Sequence, residues 1–156
     1  MVKFIIGEKG TGKTKIMIDK ANLAVGDSKG HIVYIDRDNN HAYDLDRSLR
    51  FVNAGEFRIE NLKTFYGFLC GIISQNLDVE KIFIDGLKVI SAAEDSCLND
   101  FIKELEILHK EFGVSFLISL SRSKGEVSEF LKKYIWFRCW KLEVGCDCLM
   151  THKESS

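Results

Sequence analysis

The 156-residue sequence contains no proline. Its turns must therefore be built by Gly, Asn, Asp and Ser, and no proline kink or prolyl isomerisation shapes the chain. No apolar run approaches the roughly 20 residues that span a bilayer. The apolar stretch of the opening "MVKFIIG" is too short for a signal peptide. Neither sign of charge is in excess: 22 Lys and Arg stand against 23 Asp and Glu, a net charge of −1. No global field then draws the chain to nucleic acid or anionic lipid, although a local basic patch is compatible with that balance. The five cysteines are odd in number and lack a framework spacing, which reads as reduced thiols. Together these absences point to a cytoplasmic protein without a membrane role. What is present, 46% apolar and 29% charged residues, is the balance of a globular domain. The length fits one domain over residues 1–156, with 151–156 as a flexible tail, and is enough to bury a core without metal or disulfide staples.

Strand and helix patterns alternate along the chain. "VKFII", "HIVYID", "KIFIDG" and "VSFLISLS" are short runs that are apolar on both faces, as in parallel strands covered on both sides. Between them, "KTKIMIDKANLAV" is helical and is stopped by "GDSKG", and "ENLKTFYGFLCGIISQN" carries Leu62, Phe65 and Leu69 on one side. "DSCLNDFIKELEILHKEFG" is amphipathic through Leu98, Phe101, Ile102, Leu105 and Leu108 and closes at Gly113. "GEVSEFLKK" reads as a short helix, and "YIWFRCWKLEV" as one or two further strands. Residues 37–60 are charged, weakly patterned and given no firm structure. Right-handed crossovers then give a three-layer α/β sandwich with a mostly parallel sheet of about five strands and a C-terminal strand or hairpin.

The first strand runs into "GEKGTGKT", residues Gly7, Glu8, Lys9, Gly10, Thr11, Gly12, Lys13 and Thr14. This matches G-x-x-x-x-G-K-[ST] between a strand and a helix. Such a loop aims successive backbone N–H groups at an anion, and the helix that follows adds its positive end. In that geometry Lys13 reaches the β- and γ-phosphates and the Thr14 hydroxyl takes one place on Mg²⁺. A second carboxylate-bearing element, "KIFIDG", ends a buried run in Asp85, a charge that needs a metal or an ion pair to justify it. With these two elements the chain resembles the P-loop NTPase superfamily, "GEKGTGKT" standing as the Walker A motif and "IFID" as the Walker B motif.

The resemblance implies a nucleotide site whose metal residues are Thr14 and Asp85, with ATP and Mg²⁺ as ligands. In the RecA- and AAA-like branch, a polar residue on the strand between the two motifs senses the γ-phosphate, and "FLISLSR" offers Ser119 or Ser121. That branch also carries a glutamate beside the Walker B aspartate or at the end of the second strand. Here Gly86 follows Asp85, and "YIDRD" ends the second strand with Asp36 and Asp38, which implies slow or partner-dependent hydrolysis. The catalytic set expected is Lys13, Asp38, Ser119 and Arg122, the last as a lid or finger cation. A rival resemblance is to shikimate-kinase-like enzymes, which carry Asp-x-Asp after the second strand. The chain lacks their glycine-triplet loop and their arginine-rich lid.

Three features stand outside these motifs. Cys139, Cys146, Cys148 and His152 cluster without a familiar zinc spacing and read as reduced bystanders. Trp136 and Trp140 share one face by even spacing and read as core. Arg37, Arg47, Arg50 and Arg58 punctuate a charged run placed to read a substrate or partner. The expectation is an ATP-binding, Mg-dependent hydrolase or switch acting on a protein or nucleic-acid partner, with a homo-oligomer left open. The alternatives are a small-molecule kinase and a passive nucleotide-binding module. No "NKxD"-type stretch for guanine is present, which favours ATP.

Overall fold

The computed structural model describes the backbone of residues 1–142 and 145–150, and side chains as far as residue 140. His152 and the side chains of Cys146 and Cys148 lie outside the described residues, as does the tail expected over 151–156. Strand β1, Val2–Gly7, sends Phe4 and Ile6 to one core and Ile5 to another. That is why its sequence is apolar without alternation: helices cover both of its faces. Helix α1, Lys13–Asp27, leads to β2, His31–Asp36, and β3, Arg50–Asn53, lies beside β2. Helix α2, Leu62–Gln75, is capped by Asn61, whose Oδ1 accepts the Thr64 N–H at 2.8 Å, and buries Phe65, Leu69, Ile72 and Ile73. It returns to β4, Val79–Ile84, followed by the one-turn α3, Lys88–Ser91, and by α4, Asp95–Phe112.

Helix α4 buries the five apolar residues its spacing selects and stops where Gly113, at φ 72°, donates its N–H to the His109 carbonyl. Then come β5, Ser115–Ser121, the one-turn α5, Glu129–Lys132, and β6, Ile135–Leu142, which pairs antiparallel with β7, Gly145–Met150. The sheet order is β3-β2-β4-β5-β1-β6-β7. The first six strands are parallel, so the sheet exceeds the five expected. The strand the sequence did not announce is β3, which lies inside the unassigned charged segment. On one side of the sheet, α2, α4 and α5 close the larger core; on the other, α1 closes the smaller, helped by Leu45 and Leu49 from the β2–β3 connection.

Two local expectations are corrected. "GEVSEFLKK" is not one helix: a 3₁₀ turn at Lys124–Glu126, closed by a reciprocal Ser123–Glu126 capping box, precedes the single turn of α5. Trp136 and Trp140 do not share a face. The register of β6 against β1 slips between Phe4 and Ile5, so that Ile135 and Phe137, two residues apart, face opposite cores. This bulge leaves Trp136 against the smaller core and Trp140 against the larger.

Candidate phosphate-binding cleft

The C-terminal ends of β1, β2, β4 and β5 meet at one edge of the sheet, the edge where open α/β sheets place their ligands. A cleft of about 400 Å³ opens there. Lys9, Gly10, Gly12, Lys13 and Thr14 line one wall; Asp36, Asp38, His41, Asp85, Ser119 and Ser121 are among the residues opposite. The two motifs, far apart in sequence, thus face each other.

The loop owes its shape to glycine. At Gly7 a Cβ would lie 2.1 Å from the Cys139 carbonyl oxygen, because β6 passes directly alongside. Gly10 and Gly12 adopt φ of 80° and 88°, which side-chain-bearing residues reach only with strain. Gly12 begins α1 without a side-chain cap, leaving the first turn's N–H groups directed at the cleft. Thr11 donates its hydroxyl to the Glu8 carbonyl at 2.7 Å and closes the loop from inside, so Glu8 and Thr11 shape the cradle without lining the cleft.

Lys13 is 7% exposed, and its Nζ donates to the carbonyls of Gly7 at 3.1 Å and Glu8 at 2.8 Å. Burial pulls its pKa down, with Cys139 and Asp85 acting the other way. Asp85 is 2% exposed and both of its oxygens accept hydroxyl donors: Ser119 at 2.6 Å on Oδ1 and Tyr34 at 3.0 Å on Oδ2. The Ser119 oxygen also accepts the Gly86 N–H at 3.1 Å. Strand β5, which carries Ser119, is inserted between β1 and β4. Asp36 is 3% exposed. Its Oδ1 accepts the Arg37 N–H at 2.7 Å, whereas its buried Oδ2 has no partner. Burial raises its pKa to about 6, with the Arg37 N–H opposing and the nearby Asp85 and Asp38 charges adding to the rise.

Asp38 lines the cleft but is half-exposed, its Oδ1 accepting the Asn40 N–H at 2.9 Å and its Oδ2 lying 3.4 Å from Arg37 Nε. Arg122 stands apart. Its guanidinium donates to Asp95 Oδ1 at 2.7 Å and to the Ala93 carbonyl at 2.6 Å, and only 11% of the side chain is exposed. Sequence reasoning did not single out Tyr34. A tyrosine in a strand apolar on both faces needs a partner for its hydroxyl, and that need was the available signal.

The residues fit a magnesium–nucleotide complex. Among the described residues no group of three or more His, Cys, Asp or Glu could cage a metal alone, and magnesium at phosphate sites uses one or two carboxylates plus the phosphates. An orphaned buried carboxylate oxygen and an uncapped helix start supply the complementary polar groups.

No family model matches the chain, and no curated protein matches it. Among solved structures, it is similar to a KaiC-like protein from the hyperthermophilic archaeon Pyrococcus horikoshii OT3. The TM-score is 0.64 at 12% sequence identity, over 97% of this chain and 78% of that one. The likeness establishes the fold, an α/β domain with a largely parallel sheet covered by helices on both faces. No helix of the described residues is long and apolar enough to cross a membrane.

Proposed function

We propose that the chain is a Mg-dependent ATP-binding P-loop protein, a slow or partner-stimulated ATPase or switch. The observation that carries this reading is the convergence, in one cleft, of a buried lysine on a glycine loop with two buried carboxylates from neighbouring strands. Lys13 would exchange its Gly7 and Glu8 carbonyl partners for phosphate oxygens. Thr14 and Asp85 would hold magnesium, the aspartate kept in place by Tyr34 and Ser119. Bound there, the metal supplies positive charge against the phosphate oxygens as charge shifts in phosphoryl transfer.

Asp36 is a stronger candidate than Asp38 for orienting the attacking water: it is buried, one of its oxygens is unpartnered, and its pKa of about 6 lies near the working pH of a general base. Ser119, bonded to both Asp85 and the Gly86 N–H, would report on phosphate occupancy. Arg122, bonded within its own chain, serves here as a brace on the segment leading into α4. With Arg122 held by Asp95 and the Ala93 carbonyl instead of reaching the cleft, turnover by the isolated protein is expected well below about 1 s⁻¹. A phosphotransferase reading keeps one support, since Arg37, Asp38, Asn40 and His41 form a polar mouth beside Asp36 that could receive a hydroxylated metabolite.

The test is calorimetric titration with Mg-ATP. Wild type should bind with a dissociation constant in the micromolar range; Lys13→Ala should weaken binding at least about tenfold, or 1.4 kcal/mol. Asp85→Asn should lose affinity in Mg²⁺ and change little in EDTA. Absence of binding by the wild type at millimolar nucleotide would sink the proposal. A turnover that starts only on adding a metabolite would decide for the kinase.

A further inference from the structure

On the opposite side of the sheet from α1, a groove of about 670 Å³ runs between the first turns of α2 and α4, with α3 at one end. Its floor is apolar: Leu62, Tyr66, Val89 and Phe101, all packed on the larger core. Its rim carries four carboxylates, Glu60, Glu94, Asp100 and Glu104, against a single cation, Lys63. Among the described residues none of these four acids forms an ion pair, although Asp95, next to Glu94, does. In a chain of net charge −1 this is a local concentration of unpaired negative charge around an apolar trough.

Apolar floor and acidic rim make different demands, and one occupant must meet both. Covering the floor with apolar side chains is favourable. Covering it with anything neutral would strip water from four carboxylates without compensation, which is costly. The occupant therefore carries cationic side chains flanking apolar ones. The rim acids are all exposed, so the groove is an open trough; a small molecule on its floor would leave them unanswered. Two helices side by side offer the surface on which a third, amphipathic helix is commonly laid. One wall is also held firmly. Arg122 grips the Ala93 carbonyl and Asp95, and the Ser91 hydroxyl accepts the N–H of Ser121, itself a residue of the phosphate cleft. A docking surface pre-formed in this way loses little entropy on binding.

We propose that the α2–α4 groove docks a basic amphipathic helical segment of a partner protein, an interaction independent of the nucleotide reading.

The probe is a fluorescent peptide of about 14 residues with leucines at helical i, i+3, i+4 and i+7 spacing and lysines elsewhere, titrated with the full chain at roughly 0.15 M salt. Binding in the micromolar range is expected. A scrambled peptide of the same composition should bind at least about tenfold more weakly. The double variant Glu94→Lys/Asp100→Lys should weaken the ordered peptide about tenfold or more, and Tyr66→Ala should weaken it through lost floor contact, both with circular dichroism unchanged. A remote reversal of two exposed acids, Asp19→Lys/Glu111→Lys, should leave binding as in wild type. No binding below about 1 mM, equal binding of the scrambled peptide, or equal losses from groove and remote reversals would each overturn the proposal.

Discussion

Asp36 is held where a carboxylate is expensive. It is buried, one oxygen lacks a donor, and the Asp85 and Asp38 charges sit close enough to raise its pKa to about 6. An acid whose pKa is higher folded than unfolded destabilises the fold in its charged form. Its contribution to stability is best below about pH 4 and is lost as pH rises through about 6. At 1.36 kcal/mol per pKa unit, the cost at neutral pH is roughly 3 kcal/mol. Asp36→Asn should therefore melt higher than wild type at pH 7.5 without ligand, by roughly 2–4 °C per kcal/mol recovered, and the gap should close towards pH 4. The same variant should bind Mg-ATP yet lose most of its turnover. Melting curves at several pH values check the first part; a variant less stable than wild type at every pH would show that Asp36 is an ordinary structural acid. Such a position, unfavourable for folding and directed at the cleft, is where function and stability pull apart.

At the scale of elements, legibility followed local pattern. Helix α4 could be read almost to the residue because five apolar side chains at helical spacing and a terminal glycine all agree. The loop and Asp85 could be read because their chemistry is written in consecutive residues. β3 could not: "RFVN" is four residues long at a sheet edge, with no run of apolar residues to mark it. The bulge in β6 was equally hidden, since alternation predicts a face only while register holds. Nor did the residues preceding β3 announce their order, because it comes from turn bonds and one distant side chain. Asp38 and Asp46 accept N–H groups two residues on, and Asn22 of α1 reaches across to donate to the Asp44 carbonyl and accept the Asp46 N–H, at 2.9 and 2.8 Å. These bonds are exposed, so Asn22→Ala should cost only about 1 kcal/mol. Its clearer effect should be faster amide exchange at Asp46 and its neighbours, with α4 unchanged. Uniform exchange in wild type and variant would show that the connection to β3 holds without α1.

For the molecule as a whole, the cleft is a place of unresolved charge. Two buried carboxylates, Asp36 and Asp85, and a buried lysine meet there, and the lysine bonds its own loop. A Mg-nucleotide would bring phosphate oxygens to Lys13 and the start of α1, and a cation to the carboxylates, so its binding should be strongly selective for the folded chain. Linkage then sets the size of the effect: at a hundredfold excess over the dissociation constant, such a ligand stabilises by about 2.7 kcal/mol. For a domain of this length each kcal/mol is worth roughly 2–4 °C, so saturating Mg-ADP should raise the melting temperature by roughly 5–11 °C. Lys13→Ala should lose most of that rise, and magnesium alone should produce little, because the described residues of the cleft form no complete metal cage. If magnesium alone gave the full shift, the site would be a metal centre and the phosphate reading would fall. If millimolar nucleotide gave none, the glycine loop would be a turn and nothing more.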